Sequence, residues 1–308
     1  MDANAAPQGH VVVGVDGSRS AEQALEQAVL EARRRSVPLE VLHGRPWAHR
    51  PDTAAPHRLG TPTRQDAHDL AESAAARARE LDPELTVLAT PTEENAEQAL
   101  VRLSGRAALT VVGSRGLGGF TGLLLGSVSL RVAAHTAGPL LVVRGEPAAE
   151  RPAAGRGTVL VGVESDADGD AVTLAFEEAA ARGAPLTALH AWTYRHFTPP
   201  GEPLVPTSPM GEDIARVSRR ETAAAEHLVA PFREKYPRVR AQVRTVCGDA
   251  AHALVEASET ADVAVVAVHR GRGPLAMRLS PVVHSLLHHS HCPVLLVPVP
   301  HGKGGAAS

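Results

Sequence analysis

Aromatic side chains are scarce in this 308-residue chain: two Trp, two Tyr and four Phe, 3% of the total. Stacking platforms of the kind that hold single-stranded nucleic acid would have to be built from almost nothing. Charge of one sign is also lacking. Thirty-one basic against 34 acidic residues leave a formal charge of −3, too near balance for a protein that binds by neutralising a phosphate backbone. Nucleic acid is therefore not an expected partner. Only two lysines occur, Lys235 and Lys303, and neither stands in a G-K-[ST] context, which excludes a Walker A loop. Two cysteines, Cys247 and Cys292, cannot supply a disulfide framework or a four-thiolate zinc site. No long apolar run is present; the longest, such as Val263 to Val268, span about six residues, and Met1 to His10 has neither a basic nor an apolar leader segment. The expectation is a cytoplasmic protein that does not engage a membrane.

What the sequence does contain is one unit written twice. VVVGVD at Val11–Asp16 is echoed by VLVGVE at Val159–Glu164, an offset of 148. From Pro83/Pro237 through Asn95/Asp249, Leu100/Leu254 and Pro139/Pro293 to Val143/Val297 the halves align without a gap at an offset of 154. A repeat of this size is a duplicated domain and not a solenoid unit. Gly145–Gly157, rich in Pro, Gly and charge, reads as a linker between the copies. The expected division is a domain over 1–147, a linker over 148–157, a second domain over 158–300 and a disordered tail over 301–308.

Within each copy, short apolar runs alternate with segments of helical period, the pattern of parallel strands covered on both faces. In copy one the expected strands are His10–Val15, Leu39–His43, Leu85–Ala89, Ala108–Gly113 and Leu140–Val143. Ser18 or Ser20 can cap the first helix, whose Ala21, Ala24, Leu25, Ala28 and Ala32 share one face. Asn95 is the expected cap of the third helix, and Asp249 of its counterpart. Five strands joined by right-handed helical crossovers make an open, doubly wound α/β domain, which binds ligands beyond the carboxyl ends of its strands.

After the fourth strand comes Gly113-Ser-Arg-Gly116, then nine residues, then Gly126-Ser127-Val128-Ser129 opening a helix. These residue types in this order suit an anion. Glycine lets the main chain approach a phosphate, and the amides of Gly126 to Ser129, with the Ser127 and Ser129 hydroxyls, are expected to point outward from a helix N-terminus. A glycine-rich surface loop with ordinary capping serines is the competing reading. Asp16 ends the first strand next door, where a carboxylate can accept from a ribose.

At these residues the chain resembles the universal stress protein family, whose nucleotide-binding members carry G-x2-G-x9-G-[ST] between the fourth strand and the last helix. Gly113, Gly116, Gly126 and Ser127 fit every fixed position with the spacer intact. The resemblance extends over nearly the whole chain and includes His43 and His190 at the end of an apolar second strand. It implies two tandem five-stranded parallel sheets of order 3-2-1-4-5, similar to adenine nucleotide alpha-hydrolase domains. It implies ATP, with or without Mg2+, bound in copy one: Asp16 on the ribose, Gly113, Gly116, Gly126, Ser127, Val128 and Ser129 around the phosphates, and Val15, Gly44 and Val112 along the base. It also implies a pseudo-dimer of the two copies through Leu140–Val143 and Val294–Val297, or a homodimer.

Copy two departs from this pattern. At the offset of 154, Gly113 becomes Ala267, Gly116 becomes Arg270, Gly126 becomes Ser280 and Ser127 becomes Pro281. Proline removes one of the amides that would hold an anion, so copy two is expected to be a structural and regulatory partner; a one-residue loop shift would instead bring Gly271 to the place of Gly116, with Arg270 or Arg272 as cations.

Other chemistries are poorly supported. His284 and His288 share a helix face, but no third metal ligand is placed by spacing. The dinucleotide fingerprint is missed at Thr121, and there is no G-x-S-x-G elbow. Strand order places Cys247 and Cys292 at opposite sheet edges, about four spacings of ~4.8 Å apart, so both are expected as small buried hydrophobes. An ATP-hydrolysing or adenylyl-transferring enzyme would need a base and a metal carboxylate near the phosphates, and Gly113–Ser129 contains no Asp, Glu or His. The expected function is a nucleotide-dependent stress regulator with little or no turnover; the alternatives are such an enzyme and a nucleotide-free interaction scaffold.

Overall fold

The structure is a computed structural model, and it describes residues 9–44, 64–116, 125–144, 157–194, 209–269 and 279–299. Residues 148–156 of the expected linker and the 301–308 tail lie outside the described residues. The chain divides into two compact units, Met1–Pro147 and Ala148–Ser308.

In unit one the elements run β1 (Val11–Gly14), α1 (Arg19–Arg35), β2 (Leu39–Gly44), α2 (Arg64–Leu81), β3 (Val87–Thr92), α3 (Ala96–Ser104), β4 (Leu109–Gly113), α4 (Ser127–His135) and β5 (Leu140–Val143). The strands are all parallel, in the order β3-β2-β1-β4-β5. Val11, Val13, Leu39, Val41, Val111, Leu140 and Val142 are all fully buried, which explains why these strands read as unbroken apolar runs instead of alternating ones. Each such side chain contributes on the order of 1.5–3 kcal/mol of burial. The helices close both faces. A Cβ at Gly14 would touch Leu100 of α3, whereas Val15, one residue on, faces a cavity between α1 and α2.

Ser18 is the cap of α1, its Oγ accepting from the Ala21 amide at 3.2 Å. Ala21, Ala24, Leu25, Ala28 and Ala32 all lie on its buried face. The buried side of α2 is methyl groups alone, Ala67, Ala71, Ala75 and Ala78, so the helix lies close on the sheet. Asn95 caps α3, accepting from the Glu97 amide.

The third strand corrects the sequence expectation: it runs Val87–Thr92 and not Leu85–Ala89. Leu85 is still in the preceding turn, its amide on the Asp82 carbonyl at 3.2 Å. Pro91 lies within β3, an outer strand of its unit, where a missing N–H is tolerated.

Unit two repeats the plan: β6 (Val159–Gly162), α5 (Gly169–Arg182), β7 (Leu186–Trp192), α6 (Pro209–Lys235), β8 (Ala241–Cys247), α7 (Ala250–Ala257), β9 (Val263–His269), α8 (Pro281–His289) and β10 (Val294–Val299). Its parallel order is β8-β7-β6-β9-β10, again 3-2-1-4-5 within the unit. Asp249 caps α7. Phe176 of α5 stacks on Phe232 and Tyr236 at centroid distances of 5.8 and 5.6 Å, so half of the chain's scarce Phe serve this core. Both cysteines are free; Cys292 is buried as expected, but Cys247 is exposed. The reason is its place at the end of β8, an outer strand whose alternate positions are open to water.

Candidate functional site

The site in unit one is built where β1 and β4 lie side by side, paired Val13 to Val111. Asp16, half-buried, follows β1, and its Oδ1 accepts from the Ser18 amide at 3.0 Å, tying the carboxylate to the start of α1. The loop after β4 is held by a series of bonds donated by its backbone amides. The Ser114 amide donates to the Val143 carbonyl at 3.0 Å, the Arg115 amide to Ser20 Oγ at 3.2 Å, and the Gly126 amide to the Ser114 carbonyl at 2.7 Å. The last of these brings the two ends of the loop together. Residues 117–124 lie outside the described residues.

The glycines of this loop are pressed by different neighbours. A Cβ at Gly113 would fall 2.5 Å from Ser20 Oγ and 2.6 Å from the Ser20 carbonyl oxygen. A Cβ at Gly116 would fall 2.4 Å from Oδ2 of Asp16. Gly126 differs: its φ of −77° suits any residue, and its nearest neighbour across the loop, the Arg115 Cα, would be 3.5 Å from a Cβ. The protein's own packing does not demand glycine there.

Gly126 is the N-cap of α4 and makes no side-chain capping bond. The amides of Ser127, Val128 and Ser129 have no acceptor within the helix, and the helix dipole adds partial positive charge at the same point. Two expected donors are used otherwise. The Gly126 amide closes the loop, and the Ser129 hydroxyl, expected to point outward, is buried and donates to the Gly113 carbonyl at 2.6 Å. Ser129 thus ties α4 to the end of β4 through its side chain.

Of the residues expected along a base, Val15 and Val112 are 7% and 3% exposed, so each offers little more than an edge. Gly44 is glycine because α3 crosses it: a Cβ would fall 2.4 Å from the Ala96 Cα. The cavity between α1 and α2, about 450 Å3, reaches Val15 and Gly17 and is bounded by Ala21, Leu25, Leu70 and Arg77. It lies beside the glycine loop and not over it.

Sequence reading did not single out two cations at this site. Arg115 stands inside the G-x2-G segment, and Arg144 follows β5, beside the Ser114–Val143 bond. Burial, and then the charge of Arg115, pull Arg144 down to about 10. It stays charged at neutral pH, in a field that an anion would relieve. Arg115 was visible in the motif as a variable position; Arg144 carries no local signal, because only the pairing of β4 with β5 brings it near.

Unit two closes the equivalent place with its own side chains. Ser280 is the N-cap of α8, its Oγ accepting from the Val283 amide at 3.2 Å, and Pro281 starts the helix without a donor. Asp168, 3% exposed, accepts from the Glu164 and Ser165 amides at 2.7 and 3.0 Å and pairs with His269 Nε2 at 2.8 Å. Glu164, in the place of Asp16, is exposed. Arg270, Gly271 and Arg272 lie outside the described residues. His284 and His288 lie close, with ring centroids 4.3 Å apart and planes tilted by 38°, but among the described residues no three metal-ligating side chains gather. No helix among the described residues is long and apolar enough to cross a membrane.

The model of the universal stress protein family matches residues 8–144 and 155–298. A universal stress protein of Mycobacterium tuberculosis is 30% identical over 318 residues, covering 94% of this chain and 95% of that protein. Another from the same organism is 33% identical over 298 residues, covering 93% and 95%. Among solved structures, a universal stress protein from Archaeoglobus fulgidus covers 94% of this chain and 98% of its own with a TM-score of 0.63 at 16% identity. A protein from Pseudomonas aeruginosa, described as a universal stress protein, covers 96% and 95% with a TM-score of 0.57, also at 16% identity.

Proposed function

The chain belongs to the universal stress protein family, in its tandem two-domain form, and we propose that unit one binds ATP while unit two does not. The observation that carries this is the difference between two helix N-termini. At α4 the cap is a glycine without a side chain, and the amides of Ser127, Val128 and Ser129 have no acceptor among the described residues, which leaves them for an incoming anion. At α8 a serine caps the helix and a proline removes a donor. The turn by itself does not require glycine at 126, where a side chain fits; close approach by a ligand does.

In this reading the γ- and β-phosphates lie on the amides of Ser127, Val128 and Ser129, with the Ser127 hydroxyl beside them and Arg115 and Arg144 supplying charge. The Asp16 carboxylate faces the ribose hydroxyls, which donate to it, and the base extends toward Val15, Gly44 and Val112. Mg2+ would ride on the phosphates. Gly113–Ser129 has no acidic side chain or histidine to place an attacking water, so the nucleotide is held and not consumed. ATP occupancy is the signal, and a protein partner in the cytoplasm reads it. Universal stress proteins have been solved in complex with cAMP and with dAMP.

The test is calorimetry of the full chain with ATP and magnesium, alongside Gly116→Glu. The expected result is one site per chain, lost in the variant, whose carboxylate would fill and repel the phosphate position. Two sites per chain, or unchanged binding in the variant, would refute the assignment. Sustained release of ADP that Asp16→Ala removes would favour the enzyme reading.

A further inference from the structure

We propose that His43, a side chain of β2 outside the glycine loop, is a positioning residue for nucleotide binding: it fixes the direction of the Asp16 carboxylate by holding the peptide that precedes it. This rests on the ATP reading of unit one. The backbone ladder between β1 and β2 ends with the Val15 amide on the Leu42 carbonyl at 2.9 Å. One step further, the Val15 carbonyl is taken by a side chain, His43 Nδ1, at 2.8 Å. A carbonyl can only accept, so Nδ1 carries the proton. That carbonyl belongs to the peptide whose nitrogen is Asp16's, so its tilt sets where the Asp16 side chain leaves the main chain. The carboxylate has little freedom besides, with Oδ1 on the Ser18 amide at 3.0 Å and Oδ2 only 2.4 Å from where a Cβ on Gly116 would stand.

Unit two makes the same bond, His190 Nδ1 to the Val163 carbonyl at 2.9 Å, immediately before Glu164. There the imidazole is also gripped from behind, Nε2 on Glu221 at 3.3 Å. The offset of 154, which superimposes the last residues of α2 and α6, Leu81 and Lys235, puts Ala67 of α2 in the place of Glu221. Among the described residues no carboxylate pairs with His43 as Glu221 does with His190, and the hold on the peptide rests on Nδ1. Only a group that donates from the Nδ1 position is needed, and the side-chain amide nitrogen of Asn occupies nearly that position.

Calorimetry of the full chain with ATP tests this on His43→Ala, His43→Asn, Asp16→Ala and the Asp16→Ala/His43→Ala pair. His43→Ala is expected to weaken ATP binding about tenfold, as one lost hydrogen bond does. His43→Asn should stay within about twofold of the unmodified chain, and in the Asp16→Ala background His43→Ala should cost less than about twofold more, because the carboxylate it aims is gone. Losses that multiply in the double variant, an Asn variant as weak as Ala, or an unaffected His43→Ala would each overturn the proposal while leaving the ATP reading intact. A chain that binds no ATP to begin with overturns the reading and this proposal together.

Discussion

Oδ2 of Asp16 lies where the side chain of residue 116 would begin: a Cβ there would stand 2.4 Å away. The carboxylate after β1 and the second glycine after β4 are thus one device, and each constrains the other.

This coupling predicts that even Gly116→Ala, a single methyl, displaces the carboxylate and weakens ATP binding by about tenfold or more. In an Asp16→Ala background, with the crowding oxygen removed, the same methyl should cost less than about twofold, since contacting residues are non-additive. Calorimetry on the four chains of the cycle measures it. Equal losses in both backgrounds would show that the methyl acts on the phosphate alone.

Gly126→Ser copies unit two into unit one. The backbone there suits serine and a Cβ meets nothing closer than 3.5 Å. The new hydroxyl can cap α4 as Ser280 caps α8. Stability of the unliganded chain should hold or rise by a few tenths of a kcal/mol, while ATP affinity falls because an amide meant for phosphate is occupied. A melting curve and a titration together decide this; a fall in both would mean that the loop was distorted.

Arg144→Gln should also separate stability from binding. Its guanidinium is pulled down to about 10, well below its ordinary value, by burial and then by the Arg115 charge. The sign follows: a base held below its unfolded value is less favourably charged when folded, a cost present throughout neutral pH and lifted only as pH rises past about 10. Removing the charge should leave the unliganded melting temperature no lower. ATP binding should weaken, and its dependence on salt should become shallower.

Asp168→Ala in unit two strands the Glu164 and Ser165 amides and takes the partner of His269. A loss of about 2–3 kcal/mol in unfolding is expected, since the buried carboxylate's own charge strengthens the hydrogen bonds it accepts. His269→Ala should cost much less, because that side chain is 48% exposed. Denaturant unfolding measures both, and ATP binding should change in neither.

The apolar runs, the 3.6-residue spacing of alanines in α1 and the caps at Ser18, Asn95 and Asp249 were all legible in the sequence. Each is a local matter: a backbone amide near its own side chain, or a face repeated within one segment. The duplicated plan and the G-x2-G-x9-G-[ST] spacing were legible for the same reason, and with them the family and the 3-2-1-4-5 sheet. What only the tertiary structure decided is how separated segments meet. It sets Asp16 against Gly116 across 100 residues and Arg144 beside the loop after β4, turns the Ser129 hydroxyl inward to the Gly113 carbonyl, and lets β3 run through Pro91 because that strand is an outer one of its unit. Pairing of parallel strands brings residues together that no sequence spacing relates, and a hydroxyl or glycine takes its role from whatever that pairing places within about 3 Å of it.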